Sequence, residues 1–203
     1  METSSTPEFD PFSTVGLERR PWLDAESIHA AFRERARQVH PDALNGNASE
    51  FARLTAARDL IVSPASRLKL LAHNHTGSRG NSGLPLSPLE PDLGFEIGSA
   101  VRHAEQLLRE TEEKSALEKA ITMHGIKSCD RKLEAMESRT ARLIQTLEHE
   151  TQGLDAVWPQ EVSRSELVSL ANHWQYAQRW QDQVRTARFK LKNHLPLLVK
   201  SQQ

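Results

Sequence analysis

His40-Pro41-Asp42 places an imidazole and a carboxylate on either side of a proline. An imidazole both donates and accepts hydrogen bonds, and an ionised carboxylate accepts strong charge-assisted bonds from arginine or lysine. The proline limits the freedom of the turn before anything docks on it, so less entropy is lost on binding. Immediately upstream, His29, Arg33 and Arg37 recur at four-residue steps, which sets them on one exposed helical face. The chemistry offered is that of gripping another protein.

Other constellations point to less. No phosphate-cradling glycine loop, serine elbow or paired acid/base motif occurs, and no enzyme is expected. His73 and His75 straddle Asn74, but the spacing suggests no third ligand, so no metal and no cofactor is expected. Cys129 is the single cysteine, which excludes an internal disulfide or a cysteine zinc site, and no base is arranged to activate it. Trp158, Trp174, Trp180 and Tyr176 are read as packing in a helical core rather than as a partner-binding patch. The formal charge of −1 gives no general attraction to nucleic acid or acidic membranes. No apolar run approaches membrane-spanning length, and residues 1–8 do not resemble a secretory signal. A reduced, cytoplasmic setting follows as the expectation, with neither nucleic acid nor membrane as partner.

The elements that must position the His40–Asp42 corner are all helical. After a tail at 1–8, a short first helix contributes Phe12, Val15 and Leu17, and a connector at 18–23 carries Trp22 and Leu23. Asp24 caps a second helix whose stripe is Ile28, Ala31, Phe32, Ala36 and Val39, and Pro41 forces it to stop near His40. Asn47 with Glu50 has capping-box form for a third helix, which runs to about Val62 and buries Phe51, Leu54, Ala57, Leu60 and Ile61. Ser63 and Pro64 open a fourth helix with Leu68, Leu70 and Leu71, ending near His75.

Residues 76–88 are rich in Gly, Ser and Pro and read as a linker. Beyond it a bundle of three antiparallel helices is expected over 89–196. The first places Leu93, Ile97, Val101, Ala104 and Leu108 on one stripe. The second opens at the capping box Ser115–Glu118 and carries Leu117, Ile121, Leu133, Met136, Leu143, Leu147 and Leu154, with a soft spot at His124-Gly125 and an end at Trp158-Pro159. The third opens at the capping box Ser163–Glu166, carries Leu167, Leu170, Trp174, Ala177, Val184 and Leu191, and closes at Pro196. The fold class is all-α.

Residues 9–75 resemble the J-domain of DnaJ-type co-chaperones. Asp10-Pro11-Phe12-Ser13-Thr14-Val15-Gly16-Leu17 resembles its short first helix, and the 24–42 stretch resembles its second helix and His-Pro-Asp loop. Phe51 to Ile61 resembles the third helix, and Ser63-Pro64-Ala65-Ser66-Arg67-Leu68 resembles the "S-D-P-x-x-R" opening of the fourth. A J-domain joined by a short linker to a three-helix bundle resembles the layout of HscB-type iron–sulfur co-chaperones. The resemblance implies a partner, a DnaK-type (Hsp70) chaperone whose ATP hydrolysis is stimulated, with His29, Arg33, Arg37, His40, Pro41, Asp42 and Arg67 as the contact set. It also implies that the C-terminal bundle binds a client, an iron–sulfur scaffold in that family, or serves as a homodimer contact. The chain departs from the family pattern at Val39 (usually tyrosine), Ala43 (often lysine) and Arg35 (usually leucine). The alternative reading is a helical interaction scaffold whose J-like module no longer activates.

Overall fold

The computed structural model describes residues 9–43, 46–74, 86–109 and 116–200. Among the described residues there are seven helices and no strand: α1 (Pro11–Val15), α2 (Ala25–Val39), α3 (Ala48–Val62), α4 (Pro64–Asn74), α5 (Pro91–Arg109), α6 (Ala116–Ala156) and α7 (Arg164–Lys200). The protein is all-α. The expectations for the 1–8 tail, for most of the 76–88 linker, for His75 and for the cap at Ser115 lie outside the described residues.

The chain forms two compact units. One comprises Met1–Leu86 with Glu148–His173, and the other Ser87–Leu147 with Trp174–Gln203. Both α6 and α7 therefore contribute to each unit.

In the first unit, local caps set the helices. Asp10 accepts from the backbone N–H groups of Phe12 and Ser13, Pro11 supplies the fixed φ of a first helical turn, and Gly16 ends α1 in a left-handed conformation at φ 87°. Asp24 accepts from Ser27 N–H at 2.9 Å to open α2. The single residue Ser63 separates α3 from α4, and its hydroxyl accepts from Ser66 N–H at 3.3 Å. α1, α2 and α4 all pack on α3. Phe12, Val15, Ile28, Leu54, Ala57, Ile61, Leu68 and Leu71 are buried there, and Leu154, Val162, Leu167, Leu170 and Ala171 are among the buried residues supplied by α6, α7 and the turn between them. Phe51, Leu60 and Leu70 are only half-buried, as are Ala31, Phe32, Ala36 and Val39 of α2. The Ser163–Glu166 box closes reciprocally: Ser163 N–H donates to the Glu166 carboxylate at 2.7 Å, and Glu166 N–H to the Ser163 hydroxyl at 3.2 Å.

In the second unit, Leu93, Ile97 and Ala104 of α5 are buried, as are Ile126, Leu133, Leu143 and Leu147 of α6 and Trp174, Ala177, Trp180, Val184 and Leu191 of α7. Arg188 sits among Asp130, Glu134 and Glu137 of α6, whose hydrogen bonds hold its guanidinium charged. Several expectations are corrected. Ile121 is 65% exposed rather than part of the core stripe. α6 runs through His124-Gly125 without a break, and Leu107 packs at Gly125, 3.2 Å from where a Cβ would sit. α7 continues past Pro196 to Lys200, so that proline does not close it. Trp174 and Trp180 are core residues, whereas Tyr176 is exposed and Trp158 is half-buried.

Candidate functional site

The site begins where α2 must end. His40 N–H still closes the helix on Ala36 O at 2.9 Å, but its ψ of 137° has left helical geometry, as the following proline requires. The chain then folds under itself. Ala43 N–H donates to His40 O at 2.8 Å, and Gly46 N–H donates to Ala43 O at 2.9 Å. Asn47 N–H donates to Val39 O at 3.1 Å. Asn47 thus spends its own N–H on the end of α2, while its side-chain oxygen accepts from Ser49 and Glu50 N–H to start α3. One residue ties the two helices together across the turn.

The imidazole is held from two sides. Its ring meets Phe51 edge-on at 5.1 Å, with an interplanar angle of 76°. Asp42 N–H donates to His40 Nδ1 at 3.2 Å. An Nδ1 that accepts places the proton of the neutral ring on Nε2, which is then the ring's donor. The Asp42 carboxylate lies 3.6 Å from Nδ1 with its side chain 91% exposed, and the His40 side chain is 48% exposed. Pro41 is exposed as well. The corner therefore faces solvent with its carboxylate open to an external cation.

Of the residues singled out on α2, His29, Arg33 and Arg37 are all exposed. Arg37 pairs with Glu34 at 3.2 Å, but with side chains 77% and 65% exposed this is a weak surface pair that a stronger partner displaces. Arg67 is the correction. It is 1% exposed, donating from Nε to Pro21 O at 2.9 Å and from Nη1 to Ile61 O at 2.7 Å. Burial pushes its pKa down to about 10, against the opposing pull of the Asp155 carboxylate. A guanidinium so enclosed presents nothing to a partner; it braces the 18–23 connector against the end of α3.

Sequence reasoning missed the other half of that brace. Asp155 near the end of α6 pairs with Arg20 at 2.7 Å and accepts from Trp22 N–H at 3.2 Å. Trp158 donates from Nε1 to Arg19 O at 2.7 Å. These residues are separated from the connector by 133–139 positions, and no local pattern links them. Gly46 lies hard against the His40 carbonyl, an approach that no local sequence pattern marks.

Elsewhere, among the described residues no group of three His, Cys, Asp or Glu is placed to hold a metal ion, and no helix is long and apolar enough to cross a membrane. Cys129 is buried beneath α5, its Sγ 3.8 Å from Ala100 O, and burial raises its thiol pKa.

No protein-family model and no curated protein matches the chain. Among solved structures, it is similar to the chaperone HscB from Vibrio cholerae, with 18% identity over 93% of this chain and 99% of that chain, at a TM-score of 0.46.

Proposed function

We propose that this protein is a J-domain-type co-chaperone that binds a DnaK-type chaperone and accelerates its ATP hydrolysis, with residues 9–75 as the activating module. The observation that carries the reading is the His40-Pro41-Asp42 corner, braced from within by Phe51 and Asn47 yet open outward at the foot of a helix bearing His29, Arg33 and Arg37. Arg33 and Arg37 meet acidic surface on the chaperone, which raises the encounter rate and sets the register. Asp42 accepts a charge-assisted hydrogen bond from a chaperone arginine, strengthened as docking excludes water. The Nε2–H of His40 donates to the partner's backbone, and Pro41 keeps the corner in shape beforehand. The chain itself breaks no bond; the ATPase chemistry belongs to the partner.

Residues 89–196 are the client-binding part in this reading. The client is a protein, and the J-domain-plus-bundle layout favours an iron–sulfur scaffold.

The test is single-turnover ATP hydrolysis by a DnaK-type chaperone with and without the purified full chain. Stimulation by the wild type, lost in His40→Gln and in Asp42→Asn with helicity unchanged, is the expected result. Equal rates in the presence and absence of the wild type overturn the activating role and favour a helical scaffold that only positions its partners.

A further inference from the structure

α2 breaks its own pattern at one position. Ile28, Phe32, Arg35 and Val39 follow the three- and four-residue steps of a packing stripe. Ile28 is buried and Phe32 and Val39 half-buried, but Arg35 is charged and exposed. Among the described residues, its side chain makes no ion pair and no hydrogen bond. Instead Arg35 and Val39, with Thr14 of α1 and Glu50, Arg53 and Leu54 of α3, line a cleft of about 250 Å³. Arg53 lies over the Phe9 ring, its guanidinium carbon 5.6 Å from the ring centre, and it too pairs with no carboxylate among the described residues. The cleft thus holds two guanidiniums against one carboxylate, over an apolar floor of Val39 and Leu54. A cation on a packing stripe sacrifices burial with no internal compensation, which is the kind of local rule-breaking that marks a site of use.

We infer that this cleft receives a carboxylate side chain from an acidic segment of the same partner that docks on the His40 corner. Charge complementarity names the occupant: the face of α2 bearing Arg33 and Arg37 suits an acidic partner, and the cleft carries the same sign. Continuity supports it too, because Val39 lines the cleft while its carbonyl anchors the turn through Asn47. Arg35 is two positions from Arg33 and from Arg37, roughly 200° around the helix. The contact is therefore a second one, on the other side of α2, and the partner grips the helix end from both flanks. This inference rests on the proposed function and adds to it a determinant of affinity separate from the activating corner.

Half-saturating concentration and plateau rate in the ATPase assay separate the two. Arg35→Gln/Arg53→Gln raises the half-saturating concentration about tenfold and leaves the plateau rate unchanged. Glu50→Gln, which removes the one carboxylate of the cleft, lowers the half-saturating concentration, an effect that damage to the fold does not mimic. An unchanged half-saturating concentration in the folded double variant, or a rise in both variants, overturns the cleft alone. Absence of any stimulation by the wild type overturns the cleft and the co-chaperone reading together.

Discussion

Gly46 lies directly beneath the carbonyl of His40, so close that a Cβ at this position would overlap the carbonyl oxygen and approach Pro41 C within 3.1 Å. The requirement is for space. At Gly16 the requirement is different: φ is 87° and nothing lies within 4 Å of the Cβ position.

The two glycines therefore fail differently when replaced. Gly46→Ala must push the His40 carbonyl away, which breaks its bond with Ala43 N–H and re-aims Asp42. The expected result is loss of ATPase stimulation, at a stability cost of about 1–3 kcal/mol for the overpacking. Gly16→Ala costs about 1 kcal/mol through its left-handed backbone and keeps stimulation. Urea denaturation beside the single-turnover assay reads both. Normal stimulation by Gly46→Ala would mean that close approach is not what holds the corner.

The Arg67–Asp155 brace yields a prediction of opposite character. Arg67→Met leaves the Pro21 and Ile61 carbonyls without their donor and is expected to cost about 2–4 kcal/mol. Asp155→Asn weakens the grip on Arg20 and Trp22 N–H, at about 1–2 kcal/mol. Because both act on the same connector, the double variant loses less than the sum. In the fraction that remains folded, stimulation per molecule is unchanged. A selective loss of stimulation in folded Arg67→Met would return Arg67 to the docking surface.

Acid sensitivity follows from the caps. Hydrogen bonds from Ser27 hold the Asp24 carboxyl below its ordinary value of 3.8. At Asp10, burial pulls upward, but the hydrogen bonds from Ser13 and the Arg19 guanidinium together outweigh it and the net shift is downward. In each case the unfolded chain binds the proton more readily than the folded one, so stability rises with pH through this window. The contribution is full above pH 3.8 and is lost as pH falls toward the depressed folded values. Asp24→Asn keeps a capping acceptor but cannot titrate. Its unfolding free energy should therefore fall less steeply between pH 4 and pH 2.5 than that of the wild type, as measured by urea titration (approximately that interval). Identical slopes would remove Asp24 from the acid response.

How far these features could be read in advance depended on how local their causes are. The caps at Asp24, Asn47 and Ser163 act within three residues, and the proline at 41 acts on its neighbour, so the starts of three helices and the end of α2 were legible. Apolar spacing gave the buried faces of α3 and α5 but could not say how a helix is covered. Ile121 is apolar but stands one position before the Thr122, Ile126, Cys129 and Leu133 row that α6 buries, and it is exposed. Pro196 failed as a stop signal, since α7 runs on to Lys200. At the site, the corner and the basic face were legible because their residues are neighbours in sequence. Arg67 matched a motif by type, but its burial rests on the carbonyls of Pro21 and Ile61 together with the charge of Asp155, and two of these three lie far off in sequence.

Gly94 and Trp180 offer a test in the second unit. A Cβ at Gly94 would stand 2.5 Å from Trp180 Cζ2 and 2.9 Å from Cε2, and Trp180 is 8% exposed, so α5 lies on α7 with the indole pressed into the notch that the glycine leaves. Gly94→Ala gains helix propensity of about 1 kcal/mol in isolation. The indole cannot retreat without losing its packing, and the overlap costs about 1–3 kcal/mol, so steric exclusion wins and the variant is less stable. Trp180→Phe removes the six-membered-ring edge at Cζ2 that meets the new methyl, at its own cost in buried area. On that smaller ring Gly94→Ala should turn neutral or stabilising, because only the propensity gain remains. The double-mutant cycle by urea denaturation reads this as a change of sign. Equal destabilisation by Gly94→Ala on both backgrounds would mean that the indole is not what the glycine accommodates.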